Sequence, residues 1–304
     1  MSDGQLKDYF VEKLTGRDIF LRAATEVLEL KKTKYQNLAL IKTELLGRVL
    51  ILDNVCQLSE ADEFIYHELL VQVPAILHAT PQKVLILGGG DGCALREILK
   101  WKSIEQAVLV DIDPDVVNCA RKHLGDLNQD ALNHPKAQVV IEDAFNFVQQ
   151  TQTKWDLIIC DLSDPVEDGP SMRLFTQEFF QDLKKILTPQ GILSVQSGPA
   201  APPEHFYFTR VANTLKQVFP YFKACFSFCQ SYLTPLGFSL VRQIPFPELT
   251  VNSIDKIIYA NLQEPLRYLD GVTTLASLTI PKFLQTALDQ ETVIYNQKNK
   301  PLWF

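Results

Sequence analysis

The sequence predicts an α/β protein in which a parallel sheet with helices on both faces follows a small antiparallel β unit. Three observations carry that prediction. Residues 83–92 read KVLILGGGDG, an apolar strand running into glycines and an aspartate. Residues 155–170 read WDLIICDLSDPVEDGP, a second apolar run that ends in Asp161 and Asp164 and then a loop of prolines and acids. From Lys83 onward strand patterns alternate with helix patterns, which requires crossover connections. Strands that shed carboxylates at their C-terminal ends are where open α/β sheets place ligand chemistry. Taken alone, the aspartate pair is better read as a turn cap before Pro165; the glycine run upstream is what shifts the balance to a site.

The first unit spans 1–78. Segments 25–30, 35–43 and 47–53 alternate apolar and polar residues, with turn signals at 31–34 and 46–47, and read as short antiparallel strands. Segment 59–70 (SEADEFIYHELL) opens on a capping serine and an acidic first turn and reads as a helix. Pro81 marks entry to the second unit, 79–245. Strands are expected at 83–87, 107–111, 137–141, 156–160 and 191–196, with helices at 94–101, 115–124, 143–150 and 173–187 between them. A helix at 206–219 and a strand pair at 222–228 and 236–242 would finish the sheet with an antiparallel element, as in methyltransferase-like Rossmann sheets. Residues 246–304 read as a helical tail packed on the catalytic unit.

Composition narrows the function classes. The 304 residues are 46% hydrophobic and 21% charged, enough for one sizeable core with a smaller appended unit. No apolar run approaches the roughly eighteen residues that span a membrane. The N-terminal MSDGQLKDYFVEK is too polar for a secretory signal, so a cytoplasmic protein with no membrane partner is expected. The six cysteines are scattered and none forms CxxC; reduced buried thiols, not metal ligands, are expected. A formal charge of −7 without a basic cluster argues against nucleic acid and is compatible with a cationic substrate.

Gly88, Gly89, Gly90 and Gly92 sit where the first strand of the second unit turns into its helix, and glycines there let a ligand approach the backbone. A dinucleotide fingerprint counted from Gly88 through Gly90 would put its last glycine at Cys93. That departure disfavours a nicotinamide cofactor, and so does Asp91, which repels a pyrophosphate but attracts an ammonium or sulfonium. Asp111 ends the next strand, where a carboxylate accepts both ribose hydroxyls. Asp143 follows the third strand and suits an adenine amine. Three acidic strand ends together suggest a nucleoside without phosphates, attached to a sulfonium.

YQNLALIKTELLGRVLILDN, DEFIYHELL, KVLILGGGDGCALREIL, VDIDPDVV and DLSDPVEDGPSMRLFT resemble, in that order, the signature blocks of the polyamine aminopropyltransferases, the spermidine synthase family. The loop DPVEDGP and the tail from Leu266 to Tyr295 look most like the thermospermine synthase branch and its prokaryotic relatives. The resemblance implies transfer of an aminopropyl group from decarboxylated S-adenosylmethionine to a polyamine, releasing 5′-methylthioadenosine. The acceptor would be putrescine or spermidine, with agmatine as an alternative; a methyltransferase of the same fold is the competing enzyme class. It implies Asp161 as the catalytic base and Asp164 as its partner for the acceptor amine. Gln36, Gly88, Gly90, Asp91, Asp111, Asp143 with Ala144, and Pro170 match donor-holding positions. Tyr66, His67, Gln57 and Tyr232 match the acceptor channel. Decarboxylated S-adenosylmethionine is then a co-substrate, with no prosthetic group and no metal, and a homodimer or homotetramer is expected through the N-terminal sheet. Two departures stand out: Ala144 replaces a usual glycine, and the acceptor loop CQSYLTP (Cys229 to Pro235) lacks the glycine of the family's TYPSG.

Overall fold

The computed structural model describes residues 8–13, 19–164 and 171–301. At the N-terminal end β1 (Asp8–Lys13) pairs antiparallel with β2 (Ile19–Ala24). A four-stranded antiparallel sheet follows, β3 (Glu26–Lys32), β4 (Asn37–Thr43), β5 (Gly47–Leu52) and β6 (Val55–Ser59), each strand beside its chain neighbour. Three of these strands were not foreseen: β1, β2 and β6. The β1–β2 ribbon turns Glu12 and Arg22 inward and Tyr9, Val11 and Leu21 outward, the reverse of the usual polarity. Such an inverted strand carries no apolar-inside signal.

The chain then forms α1 (Glu63–His67), a widened π turn (Glu68–Gln72) and α2 (Val73–His78), one continuous rod. The expected helix start at Ser59 is corrected. Ser59 ends β6, its hydroxyl donates to the Leu46 carbonyl at 3.2 Å, and Asp62 stands at the helix entrance. Pro74 explains the π turn. Without an N–H it cannot donate to the Leu70 carbonyl one turn back. Ser194 Oγ takes that carbonyl instead, at 2.8 Å in the core.

From here β7 (Lys83–Gly88), α3 (Cys93–Leu99), β8 (Gln106–Asp111), α4 (Pro114–His123), β9 (Ala137–Ile141), α5 (Ala144–Gln150), β10 (Trp155–Asp161), α6 (Gln177–Ile186) and β11 (Leu187–Pro199) build the parallel sheet. After α7 (Phe206–Lys216), β12 (Tyr221–Cys229) and β13 (Thr234–Arg242) join it antiparallel. The order β12-β13-β11-β10-β7-β8-β9 is the methyltransferase-like Rossmann arrangement. Strand side chains alternate between faces, so a central strand must be apolar at every position. Val84 and Ile86 enter the core under α2 and α3, while Leu85 and Leu87 enter the core under α5 and α6.

The last elements are α8 (Val251–Asn261), α9 (Gly271–Ser277) and α10 (Lys282–Gln290). Ile254 joins the first core and Tyr295 the second, so the tail packs on both faces of the sheet. Backbone N–H groups of Arg267, Tyr268 and Leu269 donate to the buried Glu68 carboxylate at 2.7–3.0 Å. That carboxylate belongs to the π turn, next to Tyr66 and His67. Among the described residues no helix is long and apolar enough to cross a membrane.

Candidate active site

The ends of the parallel strands meet at one cleft. Asp161, the last residue of β10, is in register with Gly88, the last of β7. The Gly89 N–H donates to the Asp161 carbonyl at 3.0 Å. Strand order reverses at this point, with β8 and β9 on one side and β11 and β13 on the other. Such a switch point leaves a crevice. Glycine is required by the closeness of the strand ends: a Cβ on Gly88 would lie 2.1 Å from the Asp161 carbonyl oxygen, and one on Gly90 2.6 Å from Asp111 Oδ2.

The cleft is part of a cavity of about 560 Å³, closed from above by β5, β6 and the segment between β12 and β13. Eight lining side chains are carboxylates, Asp91, Asp111, Asp161 and Asp164 among them; among the described residues, no Lys, Arg or His lines it. The interior is built for cations.

On the β8–β9 side stand Asp111, Asp143, Ala144 and Gln36. Burial pushes Asp111 up to about 6, against the N–H of Asp113 that it accepts at 2.8 Å. Asp143 caps α5 by accepting from the Phe145 N–H at 2.9 Å, and its other oxygen pairs with Arg173. Gln36 Nε2 donates to Asp113 Oδ2 at 3.0 Å, and Thr33 Oγ1 to the same oxygen at 2.7 Å. These bonds tie the turn after β3 to the loop after β8. Pro170 lies outside the described residues.

In the middle, the Tyr66 hydroxyl donates to Asp161 Oδ1 at 2.7 Å. Asp161 Oδ2 has no hydrogen-bond partner among the described residues. Burial pushes this carboxyl up to about 6; His67 and the Tyr66 hydroxyl oppose the rise, and Asp91 adds to it. Asp91 also lines the cavity, with Oδ1 accepting from the Cys93 N–H at 2.7 Å. His67, expected in the acceptor channel, is instead behind the wall. Its side chain is 1% exposed, with Nε2 3.7 Å from Asp91 Oδ1 and 3.9 Å from Asp161 Oδ2. The reason is helical geometry: consecutive residues point about 100° apart, so only Tyr66 faces the space.

His67 Nδ1 lies 2.7 Å from Glu63 Oε2, and the Glu63 carboxylate accepts both terminal nitrogens of Arg96 at 2.8 and 2.9 Å. Burial opposes charge on the imidazole, but Glu63, Asp91 and Asp161 outweigh it and raise His67 to about 9. Glu63 is held down to about 2 despite its burial by His67 and Arg96. Two groups here have donor atoms within 4.8 Å of one another, Glu63–His67–Cys93 and His67–Asp91–Asp161. A metal ion fits neither well: in the first group His67 Nδ1 and the Glu63 oxygens are already engaged beside the Arg96 guanidinium, and in the second Asp91 Oδ1 already accepts from the Cys93 N–H while His67, raised to about 9, keeps its Nε2 proton.

On the β11–β13 side, Asp164 accepts from Gln196 Nε2 at 3.0 Å. Burial raises it to about 7, against that bond. The Tyr232 hydroxyl donates to the Gln57 carbonyl at 2.6 Å. Gln57 lines the cavity while its amide donates to the Val55 carbonyl at 3.2 Å. Gln196 and Glu12 line the cavity too. Neither ends a strand or belongs to a motif, so only tertiary structure reveals them.

An acid-lined cleft at the switch point of a Rossmann-like sheet is the usual ligand position of an α/β enzyme, and its charge suits cationic ligands. Comparison with known proteins agrees. Residues 63–253 match the family described as the spermine/spermidine synthase domain, and residues 25–60 match the spermidine synthase tetramerisation domain. A polyamine aminopropyltransferase of Synechococcus sp. (strain JA-2-3B'a(2-13)) is 41% identical over 299 residues, covering 95% of this chain and 96% of that one. Thermospermine synthase ACAULIS5 of Arabidopsis thaliana is 39% identical over 279 residues, covering 91% of this chain and 82% of its own. A spermidine synthase solved with the transition-state analogue AdoDATO superposes with a TM-score of 0.85 at 29% identity, covering 94% of this chain and 96% of that one. The chain belongs to the spermine/spermidine synthase family and is an aminopropyltransferase.

Proposed function

We propose that this aminopropyltransferase moves the aminopropyl group of decarboxylated S-adenosylmethionine to a polyamine, putrescine or spermidine, and releases 5′-methylthioadenosine. The observation that carries the reading is the cavity's charge: eight carboxylates, of which Glu12 and Asp143 are paired with Arg22 and Arg173, and no basic side chain among its described lining residues. Both substrates are cations, whereas the carboxylate of S-adenosylmethionine itself would meet like charge.

In this reading Gln36, Gly88, Gly90, Asp111, Asp143 and Ala144 hold the adenosine, and Asp91 holds the donor's ammonium. Tyr66, Asp164, Gln57 and Tyr232 hold the acceptor. His67 acts from behind the wall on Asp91 and Asp161 rather than as an acceptor contact. Asp161 Oδ2, the oxygen that Tyr66 leaves unbonded, takes a proton from the acceptor's ammonium. The freed nitrogen lone pair then attacks the propyl carbon next to sulfur. The C–S bond breaks with its electrons going to sulfur, which leaves as a neutral thioether. The sulfonium is already an activated leaving group, so alignment and one proton transfer suffice.

The units 1–78, 79–245 and 246–304 divide the work as oligomerising sheet, catalytic sheet and buttress. Tyr9, Val11 and Leu21 form an outward apolar face on β1–β2 that suits a homodimer or homotetramer. A cytoplasmic setting fits the polyamine substrates. The test is an acceptor panel of putrescine, agmatine, cadaverine and spermidine with decarboxylated or intact S-adenosylmethionine, products read by mass. Release of 5′-methylthioadenosine from the decarboxylated donor is expected; S-adenosylhomocysteine from the intact one overturns the reading.

A further inference from the structure

The β1–β2 ribbon buries two charges, which is costly for so small an element unless they are used. Glu12 and Arg22 are each 3% exposed. Arg22 Nε donates to Glu12 Oε2 at 2.5 Å, and the Cys56 N–H donates to Glu12 Oε1 at 2.8 Å. Glu12 lines the cavity beside Cys56, Gln57 and Tyr232. A second set of contacts leads to the same place. The Arg22 guanidinium also donates to the carbonyl of Ser231. The Ser231 N–H donates to Asp62 Oδ2 at 2.8 Å. Together with the Tyr232–Gln57 bond these contacts hold the short segment that ends at Leu233, whose φ of +60° is left-handed without being glycine. One arginine therefore neutralises a wall carboxylate and fastens the segment that carries Tyr232.

We propose that Arg22 is a specificity-determining residue for the acceptor: by cancelling Glu12 it makes the wall away from Asp161 electrically neutral, so the acceptor's far end is selected by fit instead of by an ion pair. This rests on the reading of the cavity as the aminopropyl-transfer site. A lone Glu12 carboxylate there would favour an acceptor whose far end is an ammonium. A lone Arg22 would repel it. With both present, a diamine gains little at that wall over a monoamine of equal length.

The test is a set of binding titrations in the presence of 5′-methylthioadenosine, comparing butylamine with 1,4-diaminobutane and octylamine with 1,8-diaminooctane. Arg22→Met should raise the diamine-to-monoamine affinity ratio about tenfold. Glu12→Gln should lower it about tenfold, and the double variant should return it to near the parent value. Opposite signs are the signature, because a pair that only props up the fold would weaken both amines together and leave the ratio alone. Thermal melting of each variant identifies any that fail to fold, and the remaining single variant with its sign then decides. A ratio that stays constant in a folded variant, or that moves the same way in both, overturns the proposal. Amine binding is read without turnover, so a parent that binds these amines but transfers nothing to any acceptor refutes the transfer reading while the ratios still judge Arg22.

Discussion

At the scale of single residues, the site turns on how burial and neighbours set the charge of a few carboxyls. Asp161→Asn keeps the shape and the Tyr66 contact but cannot accept a proton. Turnover should fall by about 10²–10⁴-fold with the affinity for 5′-methylthioadenosine unchanged; a variant within a few-fold of the parent at saturating acceptor removes Asp161 as the base. The pH profile follows from the same groups. In the proposed reaction Asp161 and Asp164 act as carboxylates, and burial raises them to about 6 and about 7. Rising pH ionises them, so kcat/KM should climb through pH 6–7, well above the ordinary carboxylate range. A profile flat down to pH 5 contradicts that assignment. The strand-end aspartates were legible because a carboxylate after a buried run is conspicuous. Gln196, Glu12 and Arg22 were not, since each matters through tertiary contacts that no motif marks.

At the scale of elements, the central strands were legible because burial on both faces makes them continuous apolar runs bounded by polar residues. The strands β1 and β2 were not, because Glu12 and Arg22 occupy their inward positions, and β6 is short and half polar. In sequence the rod through α1 and α2 reads as an ordinary helix from Ser59; neither its later start nor the effect of Pro74 shows in the periodicity. Ser194→Ala tests that last point. It removes the Ser194 donor from the buried Leu70 carbonyl, and a lost buried hydrogen bond of this kind costs about 0.5–1.5 kcal/mol. The melting temperature should drop accordingly; an unchanged value means another donor reaches that carbonyl.

At the scale of the whole molecule, the cavity is a composite of distant segments. Its walls run from Glu12 to Leu236 in sequence and come from the antiparallel sheet, the Rossmann-like sheet and the helix between them. The outward face of β1–β2 carries Leu21 at 52% exposed and Ile19 at 66% exposed. Leu21→Lys should lower the molar mass measured by light scattering, since charge on an apolar contact face opposes association. A mass identical to the parent's places the subunit contact elsewhere.

The clamp of Glu68 on the amides of 267–269 reaches across 199 to 201 residues. This has a consequence for the order in which a growing chain becomes competent. When the strand ending at Arg242 has been synthesised, every described wall segment already exists, yet the rod bearing Tyr66 still lacks the amides that satisfy its buried carboxylate. Contacts of such long range form late and slowly. A chain stopped at residue 245 should therefore be soluble only as an incompletely settled species, digested by protease near the π turn, and the full chain should gain activity in refolding only with its slowest phase.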